Sequence, residues 1–302
     1  MENIAPIILF CYKRSKHLQK AVEALQKNRL SENSELYVFS DGYKDENDKE
    51  AVLKVRSYIR TLQGFKNVNI IERETNWGLA NSIIDGVTQI INKFGKVIVL
   101  EGDIVTSPFF LTFMNKCLNT FENDNRVFSI SGYTPNLKQA ETINQDIFLF
   151  PRISSWGWGS WSDRWNSVDW EVTDFNSFIR NKRAVKKFNI GGMDLTPMLL
   201  NQQKGKIDSW AIRFSYACFK QAKYCIYPKY SLVLNIGADG SGTHVKKSDK
   251  YDSSHYRKEL YVTEDVNNHE LINAEFQNFF RQSFYRKVMN LIQKKFYIYN
   301  HD

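Results

Sequence analysis

The sequence predicts an α/β protein: a mostly parallel sheet with helices on both faces, extended by a smaller second half and a helical tail. Three observations predict it. Short aliphatic runs alternate with stretches of helical periodicity through the first hundred residues, each run ends in a polar or glycine cluster, and the texture changes after Pro151, where tryptophans crowd. Strand–helix alternation favours parallel neighbours, because a crossover helix returns the chain to the same end of the sheet. At 302 residues, 42% hydrophobic and 25% charged, the chain can bury one large core or two intimate ones, and disordered or fibrous classes are excluded.

Ile7, Ile8, Leu9 and Phe10 read as the first buried strand. Over residues 15–28, Leu18, Val22 and Leu25 recur at helical spacing, with Ser15 placed as an N-cap. Residues 36–39 form the second strand, ending in Ser40, Asp41 and Gly42, and 48–62 the second helix. Residues 68–71, 79–94 and 97–100 then alternate as strand, helix and strand. In such sheets ligands bind beyond the C-terminal strand ends, where strand order reverses. Those ends, residues 11–14, 41–43, 76–78 and 101–103, all carry polar residues or glycine. The chain divides into 1–132, a sheet-bearing half; 133–247, a second half packed over it with Trp156, Trp158, Trp161, Trp165 and Trp170; and 248–302, a helical tail.

A net charge of +8 favours phosphate-bearing or anionic partners. The four cysteines show no paired spacing and read as reduced thiols. No signal segment and no run of about 20 apolar residues is visible, so a cytoplasmic location is expected. The fourth strand ends in Glu101-Gly102-Asp103. Carboxylates leaving a core must be solvated, paired or bound to a cation, because bare burial is too costly. Two oxygen donors two residues apart suit Mg²⁺ or Mn²⁺ bridging to phosphate, while a solvated turn is the plainer reading.

Six blocks, taken in order, resemble the nucleotide-sugar glycosyltransferases of the GT-A fold, especially bacterial family 2-type enzymes and relatives of N-acetylglucosaminyltransferase I. They are PIILFCYKRS, SDG, NWGLANSI, LEGDIVTSPFF, SWGWGSW and NIGADGSGTH, spanning residues 5–247. Gly102 stands where the family's usual EDD or DxD has its middle residue. The resemblance implies a nucleotide-sugar-binding first half and an acceptor-binding second half. It sets Cys11, Tyr12 and Arg14 against the nucleotide, and makes Asp41 the acceptor of a hydrogen bond from the base. Asn76, Gly78 and Leu79 border the donor. Asp103 becomes the metal ligand, with Glu101 beside it and His244 completing the site. A uridine nucleotide is favoured on the same ground.

A transferase must neutralise a departing nucleoside diphosphate and activate an acceptor hydroxyl. For an inverting enzyme the base is expected to be Asp208, in KIDSWAIR, with Asp163 as the alternative. Trp156, Trp158 and Trp210 are expected to hold sugar, although indoles also fill cores. The tail carries Phe276, Phe280, Phe284, Val288, Leu291 and Ile292 among basic residues: a packed helix first, an interfacial one touching a membrane as the alternative. The expected reaction transfers sugar from a nucleoside-diphosphate donor to a glycan or lipid-linked acceptor in surface polysaccharide synthesis, with Mn²⁺ or Mg²⁺. A nucleotidyltransferase would carry glycines after the first strand, which CYKRSKHL lacks. A sugar-binding module would need no diphosphate site. A nucleic-acid partner is not expected, since no such motif is present and acids at the strand ends would repel phosphate.

Overall fold

The computed structural model describes residues 3–239 and 259–300, and the statements below concern those residues. Four parallel strands open the chain: β1 (Ile7–Cys11), β2 (Glu35–Ser40), β3 (Asn67–Glu72) and β4 (Lys96–Glu101). Helices α1 (Ser15–Gln26), α2 (Glu46–Ile59) and α3 (Leu79–Phe94) connect them. Alternation at period two sends Ile7, Leu9, Ile98 and Leu100 to the α1–α2 face, and Ile8, Phe10, Val97 and Val99 to the α3 face. All eight side chains are buried, which is why these strands read as continuous apolar runs. Each expected strand lies inside an observed one. Ser15 does not cap its helix: α1 begins at Ser15, and Arg14 holds the cap position with no side-chain cap bond. Its guanidinium is engaged elsewhere, as described below.

After β4 the chain turns into a short strand β5 (Ile104–Thr106) and helix α4 (Phe110–Thr120). Strands β6 (Val127–Ser131), β7 (Ile147–Phe150), β8 (Trp158–Trp161) and β9 (Tyr224–Pro228) complete an eight-stranded sheet in the order β3-β2-β1-β4-β8-β6-β9-β7. The second half therefore extends the same sheet in its plane. β8 enters antiparallel beside β4, with Trp158 opposite Val99 and Trp161 opposite Lys96. A separate ladder pairs β10 (Val233–Asn235) with β5, Asn235 opposite Ile104.

Between β8 and β9 lie five helices: α5 (Ser162–Asn166), α6 (Phe175–Arg180), α7 (Lys182–Phe188), α8 (Leu195–Gln203) and α9 (Trp210–Lys220). α6, α7 and α8 share a core with Ile212 and Tyr216 of α9. The tail is helical as expected, but as two pieces, α10 (Glu270–Phe279) and α11 (Phe284–Tyr299), because Ser283 restarts the helix by accepting a hydrogen bond from the Arg286 N–H. Phe276 of α10 stacks on Phe150 in the sheet core, at 4.2 Å between centroids. The periodic apolar series thus splits: Phe276 packs inward, whereas Phe284, Val288, Leu291 and Ile292 are exposed.

Candidate functional site

The strand order turns back between β1 and β4, so their C-terminal ends flank a crevice at the switch point of the sheet. Arg14 rises from one side and Asp103 from the other, and they form an ion pair, Arg14 Nη2 donating to Asp103 Oδ2. The second guanidinium nitrogen, Nη1, is buried without a partner among the described residues. A buried donor left unpaired is costly, so its orientation is that of a group awaiting an acceptor.

The chain returns to this crevice more than a hundred residues later. Ile236 donates its N–H to the Asp103 carbonyl at 3.0 Å, and Asn235 Oδ1 accepts from the Gly237 N–H at 2.7 Å. Gly237 lies so close that a Cβ there would stand 2.1 Å from Asp103 Oδ2 and 2.8 Å from Arg14 Nη1. Only glycine fits. The NIGAD segment and the LEGD segment, distant in sequence, are therefore built against each other. His244 lies outside the described residues.

Glu101 shares the crevice. Burial first, and the Asp103 charge second, push its carboxyl up to about 8, with Arg14 drawing it back. That elevation marks a pair of carboxylates short of positive charge. Two hard oxygen donors at these strand ends are of the kind that Mg²⁺ or Mn²⁺ takes, ions that keep waters and phosphate oxygens as further ligands. Among the described residues no cluster of three or more histidines, cysteines or acids surrounds them.

Next along the rim, Asp41 is buried at the end of β2. It accepts from the Trp77 backbone N–H at 3.1 Å and from Arg73 Nη1 at 3.4 Å. Burial raises its pKa, while Trp77 and Arg73 oppose the rise. Arg73 also donates to the Ser82 hydroxyl and to Asp85 Oδ2 at 2.7 Å, and its guanidinium lies 4.3 Å from the Trp77 ring centroid. Trp77 is 45% exposed despite its size. The sequence reading missed both residues. The signal was present in IERETNWG, where a basic residue directly follows the third strand and a tryptophan precedes the glycine before a helix.

Asn76 shapes that turn, its Oδ1 accepting from the Gly78 N–H at 3.1 Å and its Nδ2 donating to the Gly42 carbonyl at 3.0 Å. Gly78 has φ +76°, a left-handed conformation that glycine adopts without strain, and it starts α3 at Leu79. Tyr12 is held aside, donating to Asp48 Oδ2 at 2.6 Å while Lys13 pairs with the same carboxylate at 2.7 Å. Burial pushes the Cys11 thiol up to about 12, so it is a protonated wall.

The tryptophans separate. Trp156, partly buried, packs edge-on against Tyr133, and the adjoining Gly157 leaves no room for a Cβ beside Val233 of β10, so this corner borders the returning segment. Trp158 and Trp210 are buried instead, stacked on each other at 4.8 Å and clustered with Trp165 and Phe214. Their rings face protein. Trp158 is opposite Val99, two residues before Glu101, and it stacks on Trp210, the first residue of α9. Asp208 is 56% exposed and pairs with Arg213 Nη2 at 3.2 Å. Asp163 lies beyond Trp161, whose partner Lys96 begins β4, and so sits at the opposite end of these strands. Both its oxygens accept from Arg164 Nη1 at 2.7 Å.

The profile of the GNT-I family matches residues 1–189. None of the curated proteins matches the chain. Among solved structures, the mannosyltransferase PcManGT from Pyrobaculum calidifontis, in complex with GDP-Man and Mn²⁺, is similar at 10% identity and a TM-score of 0.42, over 74% of this chain and 72% of that one. Residues 1–349 of S. aureus TarS give 13% and 0.40, over 75% of this chain and 58% of that one. The galactosyltransferase LgtC, with donor and acceptor sugar analogs, gives 12% and 0.37, over 73% and 72%. These likenesses are too distant to bear on substrate, and the family match decides. Matched over more than half its length, with its strand ends and acidic turn gathered at one crevice, the chain belongs to the GNT-I family and is a nucleotide-sugar glycosyltransferase of the GT-A fold.

Proposed function

We propose that the enzyme transfers a hexosyl or N-acetylhexosaminyl group from a nucleoside diphosphate, uridine by resemblance, to a glycan or lipid-linked acceptor, inverting the anomeric carbon. The observation that carries this is the convergence of Arg14, Glu101, Asp103 and the backbone of 235–237 on one crevice at the sheet's switch point. In this reading the base hydrogen-bonds to Asp41 and lies beside Trp77, with Cys11, Tyr12 and the Asn76–Leu79 turn as walls. Arg14, already aimed into the crevice with a free Nη1, meets diphosphate oxygen.

Asp103 and Glu101 would hold Mn²⁺ or Mg²⁺, with His244 as a further candidate ligand. When bound, that ion supplies neutralising charge to the leaving diphosphate. Asp208 takes the proton of the acceptor hydroxyl as that hydroxyl attacks, with Arg213 paired to the carboxylate and orienting it. Asp163 is left out on position. Trp156 is the tryptophan available to touch sugar, while Trp158 and Trp210 act by positioning Asp208. No helix among the described residues is long and apolar enough to cross a membrane. With its four described cysteines free, we assign the enzyme to the cytoplasm, at the inner face of a membrane where its product enters surface polysaccharide.

The test is release of nucleoside diphosphate from a nucleotide-sugar panel with Mn²⁺, Mg²⁺ or EDTA. One donor is expected to be hydrolysed in a metal-dependent way, and Asp103→Ala to lower the rate by about 100-fold or more. Turnover that ignores both EDTA and the substitution would overturn the assignment, as would the absence of any donor binding by calorimetry.

A further inference from the structure

Helix α11 turns its more polar side toward the body of the protein. Asn290, Gln293, Lys294, Tyr297 and Ile298 occupy the covered side; Tyr297 and Ile298 meet the core of α6, α7 and α8, and Tyr297 donates to Asn176 Oδ1 at 3.1 Å and packs edge-on against Phe175. The opposite side presents Phe284, Val288, Leu291, Ile292, Phe296 and Tyr299, with Phe284 83% and Phe296 62% exposed. A helix that only completed a core would show the reverse pattern. A continuous apolar face of this kind, uncovered among the described residues, marks an interaction site.

The charge around it identifies what fits. α11 contains Arg286, Lys287, Lys294 and Lys295 and no acidic residue, and Lys295 sits within the apolar face. Beside it α7 contributes Lys182, Arg183, Lys186 and Lys187, and Lys182 is near enough to Lys294 to lower its pKa after burial has done so. At the junction with α10 an open cleft of about 450 Å³ is lined by Arg281, Gln282, Phe284 and Lys287. A second copy of this chain is a poor occupant, because a twofold contact would set this basic surface against itself with no acid on the helix to answer it. Apolar and aromatic side chains bordered by lysine and arginine match the boundary of an anionic bilayer, where acyl chains take the apolar face and lipid phosphates the cations.

We propose that α11 is an interfacial anchor that seats the enzyme on an anionic lipid surface, with Phe284, Val288, Leu291, Ile292, Phe296 and Tyr299 entering the headgroup–acyl boundary. The anchor stands apart from the transfer chemistry and survives if that assignment fails. It is tested by cosedimentation of the full chain with vesicles of equal parts phosphatidylglycerol and phosphatidylcholine, against phosphatidylcholine alone. Binding is expected to be at least about tenfold stronger on the anionic vesicles and to weaken with added salt. Leu291→Asp combined with Phe296→Asp, both at exposed positions, should lower binding by about tenfold or more while leaving the melting temperature and donor hydrolysis unchanged. Lys186→Glu with Lys295→Glu should erase the preference for anionic vesicles. Absence of binding to anionic vesicles, or binding indifferent to both double variants, overturns the proposal. If light scattering instead finds a dimer that Leu291→Asp with Phe296→Asp splits, and vesicles do not bind, the face belongs to a second copy.

Discussion

Glu101 and Asp163 are carboxylates at opposite ends of the same pair of strands, and the contrast between them shows what makes an acid available for chemistry. At the lower edge Asp163 has 63% of its side chain exposed and is saturated by Arg164. At the upper edge Glu101 and Asp103 share one crevice and one arginine, and Glu101 is driven up to about 8. Water and a private partner leave the first acid inert, while burial and a like charge leave the second pair in deficit. Asp208 resembles Asp163 in this respect, exposed and paired with a single arginine, Arg213.

Four substitutions break or sharpen this contrast, in descending order of effect. Asp208→Asn removes the proposed base, and donor transfer should fall by about 100-fold or more with metal-independent folding unchanged; steady-state kinetics with acceptor present measure it. Gly237→Ala forces a methyl into Asp103 and Arg14, so thermal denaturation should show a loss on the order of 1–3 kcal/mol, together with reduced turnover. Glu101→Gln tests the charge deficit directly. With its folded-state pKa raised above the ordinary carboxylate value, Glu101 binds its proton more tightly in the native state. The contribution of Glu101 to native stability is then least unfavourable in acid and worsens as pH rises from the unfolded value toward about 8. In EDTA the glutamine variant should therefore be more stable than wild type at pH about 8.5 by on the order of 1–2 kcal/mol, and the gap should close toward pH about 5. A constant difference across that range would mean that Glu101 is not the strained member. Smallest of all, Asp163→Asn should change stability by less than about 0.5 kcal/mol and leave transfer intact.

The first hundred residues were legible because both cues pointed the same way. Strands buried on two faces need unbroken aliphatic runs, and the strand ends carried the polar residues that now line the crevice. The Gly95 stop and the Leu79 start of α3 fall where the pattern sets them. Other features depended on distance in space. Nothing local distinguishes Trp156 at the rim from Trp158 in the core, since the same indole suits a sugar or a stack of rings. Trp158 is buried because α9 brings Trp210 and Phe214 over it, a contact across more than fifty residues. Arg73 was missed because its role rests on Asp41, at the end of β2, and on Ser82 and Asp85 of α3, partners that only the fold brings together. The helical repeat of the tail was read correctly, but its orientation was not: period alone does not say which side of a helix meets the protein.

The ladder between β5 and β10 has a consequence for the birth of the enzyme. Residues 233–237, which close the crevice against Asp103, are synthesised about 130 residues after the acids they cover. A growing chain already holds β1 to β4, whose pairings need nothing beyond residue 101, yet its acids stay uncovered on this side until the late strand arrives. If the crevice holds the donor as proposed, fragments that end before residue 233 should bind none, however much of the sheet they form.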